Sequence, residues 1–250
     1  MMSLGSVRPG IATVLPAGAA LVWCTAAGVS IGIDPILAIE IAAGGVVAMW
    51  LVLVGRDLRR AGRVRGRLDG ASSAETIEGV TLRVILGGQV EAFALGALRP
   101  TVYLGEASID VLDRDELSAV IHHEDHHRRT FAPLRSAAVE AWLRIVGRSA
   151  TARSLLRARL AEMEVAADAH AMRRGVHPRS IATALLKVDM HRSWGSAFSG
   201  VGDHRIKALL DAAAGRPAAR TSPLPYEWLP MLIVVAVTVG CHLGEVPARL

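Results

Sequence analysis

The sequence predicts a mainly α-helical fold with a small β-sheet, anchored in a membrane by helices. Two runs near the N-terminus, residues 9–33 and 36–55, are each long enough to cross a bilayer, and Glu40 is the one charged residue they contain. A third run, 228–244, is uncharged and close to the lower limit of that length. Apolar residues make up 52% of the chain, which is high for a water-soluble domain and excludes a disordered one.

Each apolar run has a competing interpretation. Any of the three could be a buried core helix, because length and composition do not separate the two cases. The first run could also be a signal peptide. It has no tidy small-residue cleavage site, however, and a second apolar run follows at once. An uncleaved transmembrane hairpin is therefore favoured over secretion.

Basic residues set the expected orientation. Six arginines follow the second run within residues 56–67, and Arg216 and Arg220 precede the third run. Because basic residues beside a membrane helix favour the cytoplasmic side, residues 68–222 are expected to face the cytoplasm. The arginines suit anionic lipid headgroups, and no direct nucleic-acid partner is expected. An arginine-, alanine- and glycine-rich, lysine-poor composition suggests a bacterial source. Together with the apolar runs, it makes the bacterial cell membrane the expected location.

These features divide the chain into four predicted parts. They are an N-terminal transmembrane hairpin (1–55), a basic juxtamembrane linker (56–75), a central domain (76–222), and a C-terminal transmembrane helix with its tail (223–250).

Within the central domain, short strands are predicted before a series of helices. The strand patterns cover 76–85 (broken by Gly79), 90–96 and 101–105, after a loop at 71–75. Asp113 and Glu116 form a capping box that opens a helix running to about residue 130. Further helical patterns cover 134–146, 151–174, 178–192 and 204–214, with a Gly/Ser loop at 194–202.

The sequence HHEDHH contains the pattern HExxH as His123, Glu124 and His127. On a helix, residues four apart lie on one face, so both imidazoles can reach one metal ion. Glu124 can reach a water bound to that ion and act as a general base. The apolar residues just before the motif are expected to bury the helix and support the site rigidly. A His-rich, solvated turn of helix is the alternative.

The neighbouring residues leave a second pairing open. His122 and His126 are also four apart, on a face rotated by about 100°. The first pair is preferred because only that pair encloses a glutamate in the expected place. Asp125 and His126 are polar where apolar residues are more typical, so this face is expected to be partly solvated.

A third ligand is predicted on a later helix. Catalytic zinc usually takes three protein ligands and a water, and two cysteines are too few for a cysteine-based site. Glu164 and Asp168 are four apart; Glu164 can complete a His₂Glu site, and Asp168 can orient a ligand imidazole. The alternative is a solvated charged face paired with Arg157 and Arg159, an interpretation that suits Glu162 better.

These motifs resemble the membrane gluzincin peptidases, which include HtpX-type heat-shock proteases, CaaX prenyl proteases and BlaR/MecR-type peptidases. The resemblance rests on ELSAVIHHEDHH, followed by E-x-x-A-D (Glu164 to Asp168), on the segment EAFALGALRPTVYLGEASIDVLDRDEL upstream, and on DHRIKALL downstream. It covers about residues 80–215. It implies a zincin-like metalloprotease domain, Zn²⁺ as cofactor and endopeptidase activity. His204 and Arg205 are candidates for transition-state or structural support.

The resemblance also implies partners. A protein or peptide substrate would lie along an edge strand, for which TVYLG (101–105) is the candidate. Membrane-protein quality control and regulatory proteolysis, with a transcriptional repressor as one candidate substrate, are both expected roles. Two other classes remain open. One is a non-enzymatic membrane signalling or scaffold protein with a structural metal site; the other is a metal-buffering or transport protein, which would need polar residues such as Glu40 and His242 within its spans.

Overall fold

The structure is a computed structural model that describes residues 35–191 and 199–216. The described residues form helix α1 (Pro35–Gly70), strands β1 (Ser72–Ile77), β2 (Val80–Ile85), β3 (Ala92–Leu95) and β4 (Thr101–Gly105), and helices α2 (Glu106–Val111), α3 (Arg114–Arg129), α4 (Ala132–Val146), α5 (Ala150–Arg173), α6 (Pro178–His191) and α7 (Ser199–Ala213). This part of the chain is mostly helical with a small sheet, as predicted. The predicted spans at 9–33 and 228–244 lie outside the described residues.

The chain divides into two compact units. The first includes the described residues up to Val54 together with Glu140–Leu156. In it, Trp50 and Trp142 are buried and stack with their ring centroids 5.9 Å apart. The second unit contains Gly55–Val139 and the described residues from Arg157 onward, and therefore includes all the strands and the HExxH helix.

One helix in the described part of the chain, α1, is long and apolar enough to cross a membrane, over Glu40–Gly70. Only 11% of its most apolar 18-residue window is buried, and Ile41, Met49 and Val52 are among the exposed side chains. The predicted second span, 36–55, falls within this helix. The arginine-rich segment continues the same helix to Gly70, because it contains no proline and is rich in good helix formers.

The sheet has four strands in the order β1-β2-β4-β3. Strands β1 and β2 form an antiparallel hairpin, β2 and β4 are parallel, and β3 pairs antiparallel with β4. Val102, Tyr103 and Leu104 of β4 are almost completely buried, as expected for an interior strand. One face of the sheet packs against α3. Ile121 of that helix belongs to one buried apolar cluster with Val102 and Leu104 of β4.

Two strand predictions are wrong. The loop expected at 71–75 is mostly strand β1 (Ser72–Ile77). The break expected at Gly79 within 76–85 is present, because the β1–β2 hairpin turns at Glu78 and Gly79, with φ of 50° and 72°. Strand β1 is polar and largely solvated because it lies at an edge of the sheet, so it has no apolar pattern to reveal it. TVYLG (101–105) was expected to be an edge strand, but it is the interior strand β4.

The helix predictions hold more closely. The Asp113–Glu116 capping box is present and opens α3, which ends at Arg129. Helix α7, expected from 204, begins at Ser199, so the predicted loop at 194–202 is wrong for 199–202; its remaining residues, 194–198, lie outside the described residues. Glycines near the start of a helix can adopt helical geometry, so the Gly/Ser composition of 199–202 did not exclude a helix there.

Candidate metal centre

Helix α3 presents the HExxH residues from a rigid base. The capping box satisfies backbone groups at its start, and the side chain of Glu116 also accepts a hydrogen bond from Lys187 Nζ at 2.6 Å. One turn before the motif, Ala119 and Ile121 are buried, the first against α5, α6 and α7 and the second against the sheet. Because both sides of α3 are packed, the imidazoles that follow have little freedom to move away from one another.

The structure brings the three predicted ligands together. His123 Nε2 lies 3.0 Å from His127 Nε2, and the two Glu164 carboxylate oxygens lie 3.3 Å from these nitrogens, one from each. A tetrahedral ion with ligand bonds of about 2.0–2.1 Å has ligand atoms about 3.3 Å apart, so the spacing fits. Among the described residues, these three form the group able to hold a metal ion.

The hydrogen bonding of His123 supports the same conclusion. Its Nδ1 lies 2.8 Å from Asp168, and in the neutral ring this hydrogen bond leaves the Nε2 lone pair free, facing Nε2 of His127 and the Glu164 carboxylate. Two nitrogens and a carboxylate converging on one point are a donor set that zinc accepts. The residues present therefore fit a divalent ion of this kind.

Asp168 orients His123 from behind. Its Oδ1 lies 2.8 Å from His123 Nδ1, which is the position for the carboxylate partner of a metal-binding histidine. Arg205 in turn donates to both oxygens of Asp168, at 2.8 and 2.7 Å, and its Nη1 lies 3.3 Å from Glu164. Among the described residues, His127 has no equivalent partner, since no hydrogen bond to its Nδ1 is found there.

The charges of these groups are strongly coupled. Burial by itself lowers the pKa of His123, but its hydrogen bonds with Asp168 and Glu164 outweigh burial and raise the pKa to about 9. A metal ion that binds at Nε2 would therefore displace a proton from this ring. Burial raises the pKa of Glu164, yet the two histidines hold that pKa well below its usual range. The pKa of Asp168 is likewise lowered, against burial, by His123 and Arg205. Both carboxylates are thus ionised and available as ligand and hydrogen-bond acceptor.

The metal-binding group opens into a cleft of about 570 Å³. Its walls come from β3 and from the helices α3 to α7, and Glu124 lines it together with both ligand histidines. Strand β3 contributes Ala92, Phe93 and Ala94. In the described part of the chain it pairs with β4 alone, so its other side is the sheet edge beside the cleft. The edge strand next to the site is therefore β3 and not TVYLG. The sequence predicts a strand over 90–96, which contains AFAL (β3). Its pattern does not indicate that β3, rather than TVYLG, would lie at the edge of the sheet.

Two sequence expectations near the motif are resolved. Asp125 is fully buried, with its oxygens 2.6–2.8 Å from Arg128 and Arg129, so the expected partly solvated face is wrong at this position. The alternative pair His122 and His126 does not join the metal-binding group. His126 packs beside His170 with ring centroids 5.1 Å apart, and burial, followed by the charge of that neighbour, lowers its pKa to about 4.

Helices α5 and α7 show where the remaining candidate residues lie. Glu162 pairs with the buried Arg159 at 2.9 Å, which is the role that the charged-face interpretation gave it. Arg205 contacts Asp168 and Glu164 and so supports the ligand set from behind. His204 lies in α7, but its side chain is outside the described part of the structure.

Comparison with known proteins adds nothing to this description. No model of a known protein family matches the chain, and a search of curated proteins finds no match either.

Proposed function

We propose that the protein is a membrane-anchored zinc endopeptidase of the gluzincin type, with the metal ligands His123, His127 and Glu164. The observation that carries the proposal is that the ligand atoms of three residues lie 3.0–3.3 Å apart at a cleft that Glu124 also lines. A four-ligand structural site would need no cleft and no glutamate beside it. Three ligands leave one coordination position for water, which favours a hydrolase over a scaffold with a structural metal.

The chain's own residues define the reaction. A bound zinc ion supplies Lewis acidity toward a water molecule and a peptide carbonyl. Glu124 takes the proton of the attacking water and returns it to the leaving amine when the C–N bond breaks. Asp168 holds His123 in the tautomer that leaves Nε2 free for the metal, and Arg205 holds Asp168 in place. The backbone of β3 offers the unpaired sheet edge along which an extended substrate can lie.

The proposed setting is a bacterial cell membrane, with several spans and the catalytic domain in the cytoplasm. The exposed apolar face of α1 and the arginines that follow it support a membrane anchor and this orientation. Quality control of membrane proteins and cleavage of a regulatory protein, such as a transcriptional repressor, are the two roles that fit a cytoplasmic peptidase bound to a membrane.

The central test is Glu124→Gln in the full chain, purified in detergent. The variant should keep its zinc, because the substitution leaves all three ligands in place, but cleavage of casein should fall by about 10²–10⁴. Metal content is measured by inductively coupled plasma mass spectrometry. Cleavage is measured by the release of peptides from casein. The matched control is Glu162→Gln, which changes a glutamate of the same second unit that pairs with Arg159 outside the metal group.

Activity in Glu124→Gln above about a hundredth of the wild-type value would contradict the general-base role. Wild-type protein that binds zinc stoichiometrically but cleaves no substrate would favour the structural-metal alternative. Removal of zinc by a chelator should abolish cleavage, and zinc should restore it.

A further inference from the structure

Two pairs of exposed apolar side chains extend outward from the walls of the cleft. On α6, Leu186 and Met190 are 61% and 81% exposed, and on α7, Ile206 and Leu210 are 48% and 63% exposed. Members of each pair are four residues apart and share one face of their helix. Leu186 and Ile206 also line the cleft itself, so each pair continues an apolar wall of the cleft out to solvent.

The walls deeper in the cleft are also apolar. Ala184, Leu185 and Val188 of α6 line the cleft on one side, and Phe93 of the edge strand lines it elsewhere. Exposed apolar side chains scattered singly are normal on a protein surface, but exposed pairs continuous with a cleft are typical of a binding surface. The surface and the proposed catalytic residues therefore belong to one path for a ligand.

We propose that this path selects polypeptide segments rich in apolar side chains, and that Leu186/Met190 and Ile206/Leu210 hold the side chains lying beyond the scissile bond. The inference rests on the proposed peptidase function and specifies its substrate class. The occupant is a substrate chain because the apolar pairs are continuous with the cleft that Glu124 and the sheet edge line. Folded soluble proteins bury such segments, so the substrates are unfolded proteins or segments extracted from a membrane.

The size of the effect follows from the area that these side chains can lose to a ligand. A bound peptide covers part of the exposed area of each pair, and the cost of ordering the peptide offsets part of the gain. We therefore expect about a fivefold to tenfold gain in affinity for each pair. The gain should appear in binding and in KM rather than in kcat, because these side chains lie away from the reacting bond and contact substrate and transition state alike.

The binding test uses the full chain carrying Glu124→Gln, loaded with zinc in lipid nanodiscs. The probes are two fluorescein-labelled peptides of equal length and charge, one with alternating Leu and Val and the other with Ser and Thr at the same positions. Fluorescence anisotropy, corrected with empty nanodiscs, should show at least tenfold tighter binding of the apolar peptide. Leu186→Ser/Met190→Ser and Ile206→Ser/Leu210→Ser should each weaken that binding about fivefold to tenfold.

Leu86→Ser is the matched control, because Leu86 is 62% exposed in the same unit and does not line the cleft. It should bind both peptides as the parent does. Equal binding of the two peptides, or equal losses in the control and the double variants, would overturn the inference. The protein with Glu124 intact separates the two proposals. Cleavage of both peptides with the same KM refutes apolar selection alone, whereas an apolar preference without any cleavage refutes the peptidase function.

Discussion

Glu162 and Glu164 are two residues apart on α5, yet their surroundings differ completely. Glu164 is held between two imidazoles and Arg205, whereas Glu162 pairs with Arg159. Glu164→Ala should therefore reduce zinc content sharply, because two histidines alone form an incomplete site. Glu162→Ala should leave zinc content unchanged. Metal analysis after gel filtration measures both; equal losses, or a larger loss for Glu162→Ala, would mean that the wrong face of α5 has been assigned.

Asp168 is almost completely buried and holds His123 through one hydrogen bond. Asp168→Ala should weaken zinc binding or activity about 10–100-fold, because His123 loses the partner that fixes its tautomer and ring orientation. Zinc affinity is measured by competition with a chromophoric chelator. Because the change also removes the carboxylate to which the buried Arg205 donates two hydrogen bonds, the melting temperature should fall as well. Unchanged zinc affinity in a folded variant would show that Asp168 is not needed to position the imidazole.

At the scale of single residues, the sequence predicts which side chains share a face of one helix, because that depends only on their spacing. His123, Glu124 and His127 share a helix, as do Glu164 and Asp168, so the relation within each set could be inferred from residue number alone. The pairing of Asp125 with Arg128 and Arg129 could have been inferred too, because the two arginines stand three and four residues later on the same helix. The pairing of Arg205 with Asp168 could not, since it depends on how α7 packs against α5.

At the scale of the element, the start of α3 is tied to α6. The buried Glu116 closes the capping box with Asp113 and accepts a hydrogen bond from Lys187. Burial acts to raise the pKa of Glu116, but the hydrogen bonds with Lys187 and the Asp113 backbone outweigh burial, and the net pKa is lowered below 4.5.

A pH dependence follows from this shift. A carboxyl group whose pKa is lower in the folded state stabilises the fold above its unfolded pKa, and that stabilisation is lost as pH falls through the folded pKa. Glu116→Gln should therefore lower the melting temperature at pH 7, and the difference from wild type should shrink as the pH falls below about 4.5. Asp115→Asn is the control, because Asp115 lies exposed in the same helical turn. A difference that stays constant from pH 7 to pH 3 would exclude Glu116 as the titrating group.

Helices were predicted better than strands because their signals are local. A capping box marks where α3 begins, and the interval of four residues marks its faces. A strand's place in the sheet depends on which neighbours pair with it, so TVYLG reads as a strand without revealing that β2 and β3 lie on both sides of it. The polar β1 has no apolar alternation at all, and only its pairing with β2 makes it a strand.

On the scale of the whole molecule, the fold's main property is that distant segments meet at one site. Residues 123–127 come from α3, 164–168 from α5 and 205 from α7, and β3 supplies the cleft edge. A single sequence identifies these segments by their residue types. Their meeting point was inferred from the chemistry that a metal requires, and the structure supports it by the ligand spacing. Orientation in the membrane, by contrast, depends on charge alone and needs a direct experiment.

Topology determines which compartment supplies the substrates. Arginines within 56–67 follow the apolar part of α1 on one continuous helix, so this end of the span should lie in the cytoplasm. A reporter enzyme active only outside the cell should be silent when fused after Gly70. Fused after Leu250, it should be active, because the predicted span at 228–244 would carry the C-terminus out. Enzyme activity in intact cells, normalised to fusion protein on a blot, is the measurement.

The control is a second reporter that is active only in the cytoplasm, fused at the same two positions. It should give the opposite pattern. An active outside reporter at Gly70 would place His123, Glu124 and His127 outside the cell and would remove cytoplasmic repressors from the candidate substrates. A silent fusion at Leu250 together with the expected result at Gly70 has a narrower meaning. The 228–244 run, at 17 residues close to the minimum for a span, would then be a core or interfacial helix, and the C-terminus would share the compartment of the metal centre.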